Sequence, residues 1–169
     1  MKRRRWTGLG LVVPALILNV CLATNTFGAG ADAADAAQKK DKDALGTLLR
    51  QRADVNAAQP DGTTALHWAI HWNDEEAVNL LLRAGADAKA RNRYGATPLS
   101  EAVTSGSVAL VEALLKAGAD PKMNLPGGQT ILMTAARTGN AEAVKLLLAR
   151  GIDANARETT NGETALMWA

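Results

Sequence analysis

The chain has 169 residues, with 19 Lys and Arg against 17 Asp and Glu, which allows one domain of ordinary size and a nearly neutral charge. The four basic residues at positions 2–5 precede every acid, so the remaining chain carries two more acidic than basic side chains and lacks the basic face typical of a nucleic-acid binder. Cys21 is the single cysteine, which excludes an intramolecular disulfide and a zinc site built of thiolates.

The N-terminus has the charge and hydropathy pattern of an export signal. The basic residues 2–5 are followed by an apolar stretch at 8–23, which is short for a transmembrane helix. Small residues follow it, so we predict a signal peptide over residues 1–31 with cleavage near 31–33. The mature protein is then expected in the periplasm or outside the cell, and not in a membrane. Two alternatives stay open, an uncleaved anchor and a lipid-modified Cys21.

After residue 33 the sequence repeats itself. A turn motif of the form Gly-x-Thr begins at Gly62, Gly95, Gly128 and Gly162, at intervals of 33, 33 and 34 residues. A second motif, a leucine pair followed three residues later by glycine, recurs at the same interval of 33 residues. Two motifs with one period indicate a repeat protein, and the one extra residue falls between two units, at 157–160.

Each unit is predicted to contain a turn followed by two helices. The threonine of the turn motif precedes an apolar run, so its hydroxyl can accept hydrogen bonds from the first amides of a helix. The first helices are predicted to end at Asn73, Gly106 and Gly139, since Asn and Gly tolerate a left-handed backbone. The second helices are predicted to end in the same way at the glycine after their leucine pair. The predicted N-caps are Thr64, Thr97, Thr130 and Thr164.

The apolar residues of the second helices recur with helical spacing, which predicts one buried stripe in each unit. The first helices carry alanines, whose small side chains allow neighbouring units to approach closely. One pair of short helices cannot bury its own apolar face, so the units must stack into a solenoid. The predicted stripes are Ala77, Val78, Leu81 and Leu82, then Leu110, Val111, Leu114 and Leu115, then Ala143, Val144, Leu147 and Leu148.

The pattern of these units resembles the ankyrin repeat. The resemblance rests on Gly-x-Thr-Ala/Pro-Leu-His-x-Ala at the start of a unit and Leu-Leu-x-x-Gly-Ala-Asp at its end, with residues 62–92 as the best copy. The histidine of the pattern is present only as His67, and its closing asparagine is replaced by Lys89 and Lys122. The resemblance implies an all-α fold over residues 34–169, an ankyrin-repeat solenoid of stacked helix-turn-helix units with hairpin-like turns.

The two ends of the array differ from its middle. A degenerate first unit is rich in Lys and Asp, as suits an outer face in contact with water, and Arg52 replaces its glycine. The last unit stops within a first helix, so Leu166 and Trp168 are expected to have little to pack against, and we expect the array to continue in a longer protein. The predicted units are a degenerate repeat at 34–60, repeats at 61–93, 94–126 and 127–160, and a truncated repeat at 161–169.

Side chains suited to catalysis or metal binding are few. His67 and His71 lie four residues apart, as two metal ligands on one helix do, but no third ligand is evident. The ankyrin pattern implies instead a structural His67 that bonds back to Thr64. The serines lie in no strained glycine turn, and the glycines are spaced as helix ends and do not cluster around a phosphate. We therefore expect no enzyme activity, no cofactor and no metal site.

The resemblance also implies where a partner would bind. In ankyrin repeats the variable positions flank the glycine of the turn and lie near the end of the first helix, on a concave face. Trp72 and Tyr94 are predicted as aromatic anchors, with Arg137 contributing to specificity, whereas Trp68 and Trp168 are interpreted as filling seams between first helices. The predicted protein-binding residues are Asp61, Thr63, His71, Trp72, Arg93, Tyr94, Ala96, Thr104, Ser105, Gln129, Arg137 and Thr138.

These observations favour an exported, monomeric scaffold that binds another protein, and neither nucleic acid nor membrane. Together with the export signal, they are interpreted as an ankyrin-repeat protein of bacterial origin. One alternative is an accessory module of a longer secreted enzyme, whose catalytic domain would follow residue 169. A second is an uncleaved leader that displays the array at a membrane surface.

Overall fold

The structure, a computed structural model, describes residues 31–169. Residues 1–30 of the predicted signal peptide, which include Cys21, lie outside this range. Nine α-helices and no strand form within it. Among these helices none has the length and apolar character needed to cross a membrane. They are α1 (Asp32–Gln38), α2 (Lys42–Arg50), α3 (Ala65–His71), α4 (Glu75–Arg83), α5 (Pro98–Ser105), α6 (Val108–Lys116), α7 (Ile131–Arg137), α8 (Ala141–Ala149) and α9 (Ala165–Trp168).

The helices pair into units that stack in one row. Within a unit α1 packs on α2, α3 on α4, α5 on α6 and α7 on α8. Between units the first helices α1, α3, α5, α7 and α9 form one layer, and α4, α6 and α8 pack in the same order in a second layer. This architecture confirms the predicted all-α solenoid of helix-turn-helix units.

Each first helix after α1 begins at the threonine predicted as its N-cap. The hydroxyls of Thr97 and Thr130 accept hydrogen bonds from the amides of Ser100 and Met133, at 3.2 Å in both cases. Thr164 has the same extended backbone, but its hydroxyl makes no capping hydrogen bond, so the prediction is wrong there. At Thr64, whose backbone is extended as well, the hydroxyl lies 2.9 Å from His67 Nδ1. A hydroxyl cap such as those of Thr97 and Thr130 satisfies an amide that the start of a helix leaves without an intrahelical partner.

The turn after each first helix contains a left-handed residue, as predicted. The backbone angle φ is +52° at Asn73, +78° at Gly106 and +67° at Gly139. In the first unit Lys40 and Arg52 adopt this conformation as well, with φ of +57° and +58°, although it is strained for residues with a side chain. The degenerate unit therefore keeps the turn geometry of the others without their glycines.

The leucines of the second helices form the centre of the core. Leu81, Leu114 and Leu147 share one position in their units and have no exposed surface. The prediction that Leu148 belongs to the buried stripe is wrong, since its side chain is 42% exposed. The physical reason is that α8 packs against α6 and α7, while no second helix of a following unit covers its other side within residues 31–169.

The last unit is only partly covered. Leu166 in α9 is 84% exposed, as predicted for a residue with little to pack against. Trp168 differs from that prediction, because its side chain is partly buried against the core and its indole nitrogen donates to Glu163 Oε2 at 2.7 Å. The seam-filling role predicted for this tryptophan therefore agrees with its position.

The one extra residue of the repeat lies in a loop organised by Glu158. The carboxylate of this buried residue accepts hydrogen bonds from the backbone amides of Thr160, Asn161 and Glu163. Desolvation alone would raise the pKa of Glu158, but these hydrogen bonds outweigh it and lower the pKa to about 2. The loop thus accommodates the insertion between two units without disturbing their helices.

One closing turn is bridged to the next by an asparagine side chain. Asn56 Nδ2 donates to the Gly85 carbonyl at 3.1 Å, and Asn56 Oδ1 accepts from the Asp87 amide at 2.8 Å. Lys89 stands at the equivalent position of the next unit. A lysine side chain has donors and no acceptor, so it cannot reproduce this two-way bridge to the following turn.

Replacing Lys89 with Asn is therefore expected to raise the free energy of unfolding by about 1 kcal/mol. The new side chain can donate to the Gly118 carbonyl and accept from the Asp120 amide, as Asn56 does one unit earlier. Urea denaturation followed by circular dichroism measures the change. Lys89→Ala is the control and should stay within about 0.5 kcal/mol of the parent protein; equal stability of the two variants would contradict the bridge.

Candidate binding surface

The turns that open the units form a row of hairpin-like tips, which are bonded to one another. The Arg93 amide donates to the Asp61 carbonyl of the preceding tip at 2.7 Å, and the Arg93 guanidinium donates to the Pro60 carbonyl. On the other side, the Arg91 guanidinium donates to the Asn124 carbonyl of the following tip at 2.7 Å. The two arginines thus fix the spacing of three successive tips.

One glycine makes the close approach of the first two tips possible. Gly62 has a φ of +83°, and a Cβ atom built on it would lie 3.1 Å from the Cα of Asn92 in the next tip. Asn92 in turn shapes its own tip, since its Oδ1 accepts hydrogen bonds from the amides of Tyr94 and Ala96, at 3.0 Å each. The row of tips is therefore built largely by backbone contacts.

The predicted binding residues on the tips differ in exposure. Tyr94 is 73% exposed, whereas Asp61, Ala96 and Gln129 are partly buried. Thr63 is buried, so its side chain helps to form the tip and offers almost no surface to a partner. The Thr63 amide donates to the Asp61 carboxylate at 2.9 Å, and this hydrogen bond lowers the pKa of Asp61.

Three aromatic rings meet at the end of α3. Trp68 and Trp72 are stacked, with ring centroids 6.3 Å apart and planes at 23°. His71 lies edge-on to both, at 5.6 Å from Trp68 and 4.6 Å from Trp72. The Lys40 ammonium lies 3.9 Å from the centroid of the Trp72 ring, a cation–π geometry. We refer to Lys40, Trp68, His71 and Trp72 as the aromatic cluster.

Hydrogen bonds hold both indoles of the aromatic cluster. Trp68 Nε1 donates to Gln59 Oε1 at 2.8 Å, and Trp72 Nε1 donates to the Gln38 carbonyl at 3.3 Å. Trp68 is partly buried against the core, which agrees with the predicted seam, while Trp72 remains 39% exposed. Trp72 and Tyr94, predicted together as anchors, line two different grooves, Trp72 one beside α1 and Tyr94 one beside α5 and α7.

Two shallow grooves lie between the exposed ends of the first helices. One separates α3 from α5 and the other separates α5 from α7, and they bring together predicted residues from helices and tips. The α3–α5 groove is lined by His71, Ala96, Ser100, Glu101, Thr104 and Ser105. The α5–α7 groove is lined by Tyr94, Ala96, Thr104, Gln129, Thr134 and Arg137, among others.

The remaining predicted residues lie at the far end of this face. Arg137 and Thr138 are exposed at the end of α7. The guanidinium carbon of Arg137 lies 5.6 Å from the centroid of the Trp168 ring in α9, and the same arginine lines the α5–α7 groove. The Thr138 hydroxyl donates to the Ala135 carbonyl at 3.0 Å, so it has lone pairs left to accept a hydrogen bond from a partner.

His67 has the structural role that the sequence implied. It is buried, its Nδ1 accepts from the Thr64 amide at 3.2 Å and lies 2.9 Å from the Thr64 hydroxyl, and its Nε2 faces the Ala96 carbonyl at 3.4 Å. Burial lowers the pKa of this imidazole, which favours the neutral ring. Over residues 31–169, no three His, Cys, Asp or Glu side chains are grouped so that they could hold a metal ion.

Glu101 is a site residue that the sequence analysis missed. It lies six residues after the glycine of its turn, where other units have Trp68, Thr134 and Trp168. Its Oε2 atom is buried without a hydrogen-bond partner, and burial raises the pKa of the carboxyl group to about 7. The signal was present in the aligned units, where an acid occupies a position that otherwise holds an indole or a threonine.

Comparison with protein families agrees with this architecture. The family model described as "Ankyrin repeats (3 copies)" matches residues 34–124 and again residues 117–169. No curated protein shows significant similarity to the chain. The matched residues include all four turn motifs, the stacked helices and both grooves. The chain therefore belongs to the ankyrin-repeat family.

Proposed function

We propose that this protein is a non-catalytic scaffold that binds another protein through its tips and the exposed side of its first helices. Ankyrin repeats are generally protein–protein interaction modules. The observation that carries the proposal is the exposure of large aromatic side chains on this face, where Trp72 is 39% and Tyr94 73% exposed. Exposed aromatic residues are the commonest anchors of protein interfaces.

The two anchors have different surroundings, which suggests different contributions. Trp72 is held by the rest of the aromatic cluster, so it loses little conformational freedom when a partner covers it. Tyr94 stands on a tip and lines the α5–α7 groove together with Arg137, so the two can supply apolar contact and hydrogen bonding to one partner. The polar groove residues around them fit the rim of an interface, where contacts give specificity more than affinity.

The proposal includes export of the protein as a monomer to the periplasm or the cell exterior, in a bacterial cell. Export is supported by the basic and apolar order of residues 2–23. N-terminal sequencing of secreted or periplasmic material tests export, and a start near residue 33 is the expected result. Material that retains residue 1 would contradict cleavage and favour an anchored form. Light scattering of the purified protein tests the monomer.

Affinity capture from the extracytoplasmic fraction tests the binding surface. The double variant Trp72→Ala plus Tyr94→Ala is expected to recover its partner at least about tenfold less well than the parent protein, because two anchors are lost. Leu80→Ala is the matched control, since Leu80 is 41% exposed but lies on α4, in the second layer. Equal recovery by the double variant and the parent protein would reject this surface.

A further inference from the structure

The α3–α5 groove contains a carboxyl group that the fold itself leaves unpaired. Glu101 is partly buried in this groove, and its Oε2 atom has neither solvent contact nor a hydrogen-bond partner. Among the described residues no Lys, Arg or His forms an ion pair with it, whereas Lys42, Lys116 and Lys145 pair with other acids. Buried carboxylates are normally paired or hydrogen-bonded, because desolvating an isolated charge is costly.

The other units avoid this cost at the same position. Trp68 and Trp168 place an indole there, and each indole nitrogen donates to a neighbouring side chain, at 2.8 Å to Gln59 and 2.7 Å to Glu163. Thr134 fills the position with a small buried side chain. Packing of the solenoid therefore does not require a carboxylate at this position, so the structural role alone does not explain Glu101.

The rest of the groove offers hydrogen-bond acceptors. The Thr104 hydroxyl donates to the Ser100 carbonyl at 2.8 Å, and the Ser105 hydroxyl donates to the Ala102 carbonyl at 2.9 Å. Each hydroxyl hydrogen is thus used within α5, and only lone pairs remain for a ligand. Together with the Glu101 carboxylate, the groove presents a cluster of acceptors with His71 at its edge.

We propose that the α3–α5 groove receives an arginine side chain of the partner protein, with its guanidinium paired to Glu101. This inference rests on the proposed function and specifies the chemistry of the partner. A guanidinium is planar, always charged and carries five donors, so it can pair with a carboxylate and still donate to a neighbouring hydroxyl oxygen. A lysine ammonium would supply the charge, but it lacks the planar fork that can span a carboxylate and a hydroxyl together.

A titration with small probes tests the groove directly. N-acetyl-arginine amide is added to the full chain carrying carbon-13 in its glutamate carboxyl groups, and nuclear magnetic resonance follows each carboxyl signal. The Glu101 signal is expected to move on binding and its pKa to fall, because a nearby cation favours the ionised form. N-acetyl-citrulline amide has nearly the same shape without the charge, and it is expected to bind at least about tenfold more weakly.

Two variants complete the test. Glu101→Gln keeps the size of the side chain and should weaken binding of the arginine probe at least about tenfold, with an unchanged circular dichroism spectrum. Glu112→Gln, at a half-buried acid of α6 that is paired with Lys116, should bind the probe as the parent protein does. Equal binding of the arginine and citrulline probes, or unaltered binding of the arginine probe by Glu101→Gln, would overturn the proposal. Tighter binding of N-acetyl-lysine amide than of the arginine probe would overturn the assignment to arginine.

This experiment is independent of the capture experiment with the aromatic variants. If the arginine probe does not bind Glu101 but the aromatic double variant loses its partner, the charged groove is rejected and the scaffold function stands. If the probe binds Glu101 but the double variant keeps every partner, the cation site stands and the aromatic surface is rejected.

Discussion

Replacing Leu114 with Ala is expected to lower the free energy of unfolding by about 3 kcal/mol. Leu114 lies in α6, in the middle of the array, and has no exposed surface. α6 packs against α5 in its own unit and against α4 and α8 of the neighbouring units, so the truncation leaves a cavity at the junction of three units. Because single units do not fold alone, a loss here weakens the stack on both sides.

Urea denaturation followed by far-ultraviolet circular dichroism measures this effect. Leu80→Ala removes the same atoms from a side chain that is 41% exposed, and it should change the free energy of unfolding by no more than about 0.5 kcal/mol. Similar losses in the two variants would show that burial between units does not determine stability. The idea that stacking supplies the core would then fail.

Local signals in the sequence were sufficient to predict most of the fold. Thr97 and Thr130 cap helices because a hydroxyl acts within its own turn, and Asn73 ends a first helix because its own backbone tolerates a positive φ. Such features involve residues a few positions apart, so one unit at a time reveals them. The period of the repeat then predicted that the units stack in sequence order, although no contact between distant residues was known.

Features that depend on two units at once were not predictable in this way. The helical pattern of α8 places Leu148 on the apolar stripe, but its burial requires a helix from a following unit. Arg93 was predicted as a binding residue from its place beside Tyr94, yet its guanidinium bonds the Pro60 carbonyl 33 residues earlier. These outcomes depend on the exact rotation of one unit against the next, which periodicity does not specify.

In the candidate site, too, features within one unit were predictable and contacts between units were not. The sequence placed Trp72 and Tyr94 on one face, because both lie at variable positions of their units. It did not show that Trp72 turns toward the first unit, where Gln38 and Lys40 hold it. Glu101 was missed because its position is usually occupied by residues that pack, and only the missing partner of its carboxylate distinguishes it.

The second large effect is expected in the pH dependence of stability. The pKa of Glu101 is about 7 in the folded protein, against an ordinary value of 4.5, so the folded state retains a proton that the unfolded state has lost between these values. This group therefore makes the protein less stable as the pH rises from about 4.5 to 7, and the cost is fully present above 7. At pH 8 it amounts to about 3 kcal/mol.

Glu101→Gln removes this cost and is expected to stabilise the protein by about 3 kcal/mol at pH 8, but hardly at all at pH 4. His67 has the opposite pH dependence. Because the pKa of His67 is lowered in the fold, its contribution makes the protein less stable as the pH drops below the ordinary histidine value of about 6.5. His67 is present in both the parent protein and the variant, so this contribution cancels in their difference. His71 of α3 is the other titratable residue lining the α3–α5 groove, and Arg137 of α7 lines the α5–α7 groove.

Denaturation of the parent protein and Glu101→Gln between pH 4 and pH 8 measures the difference in their free energies of unfolding directly. A constant difference would mean that Glu101 has the same pKa in the folded and unfolded protein, and hence that the fold already compensates its charge.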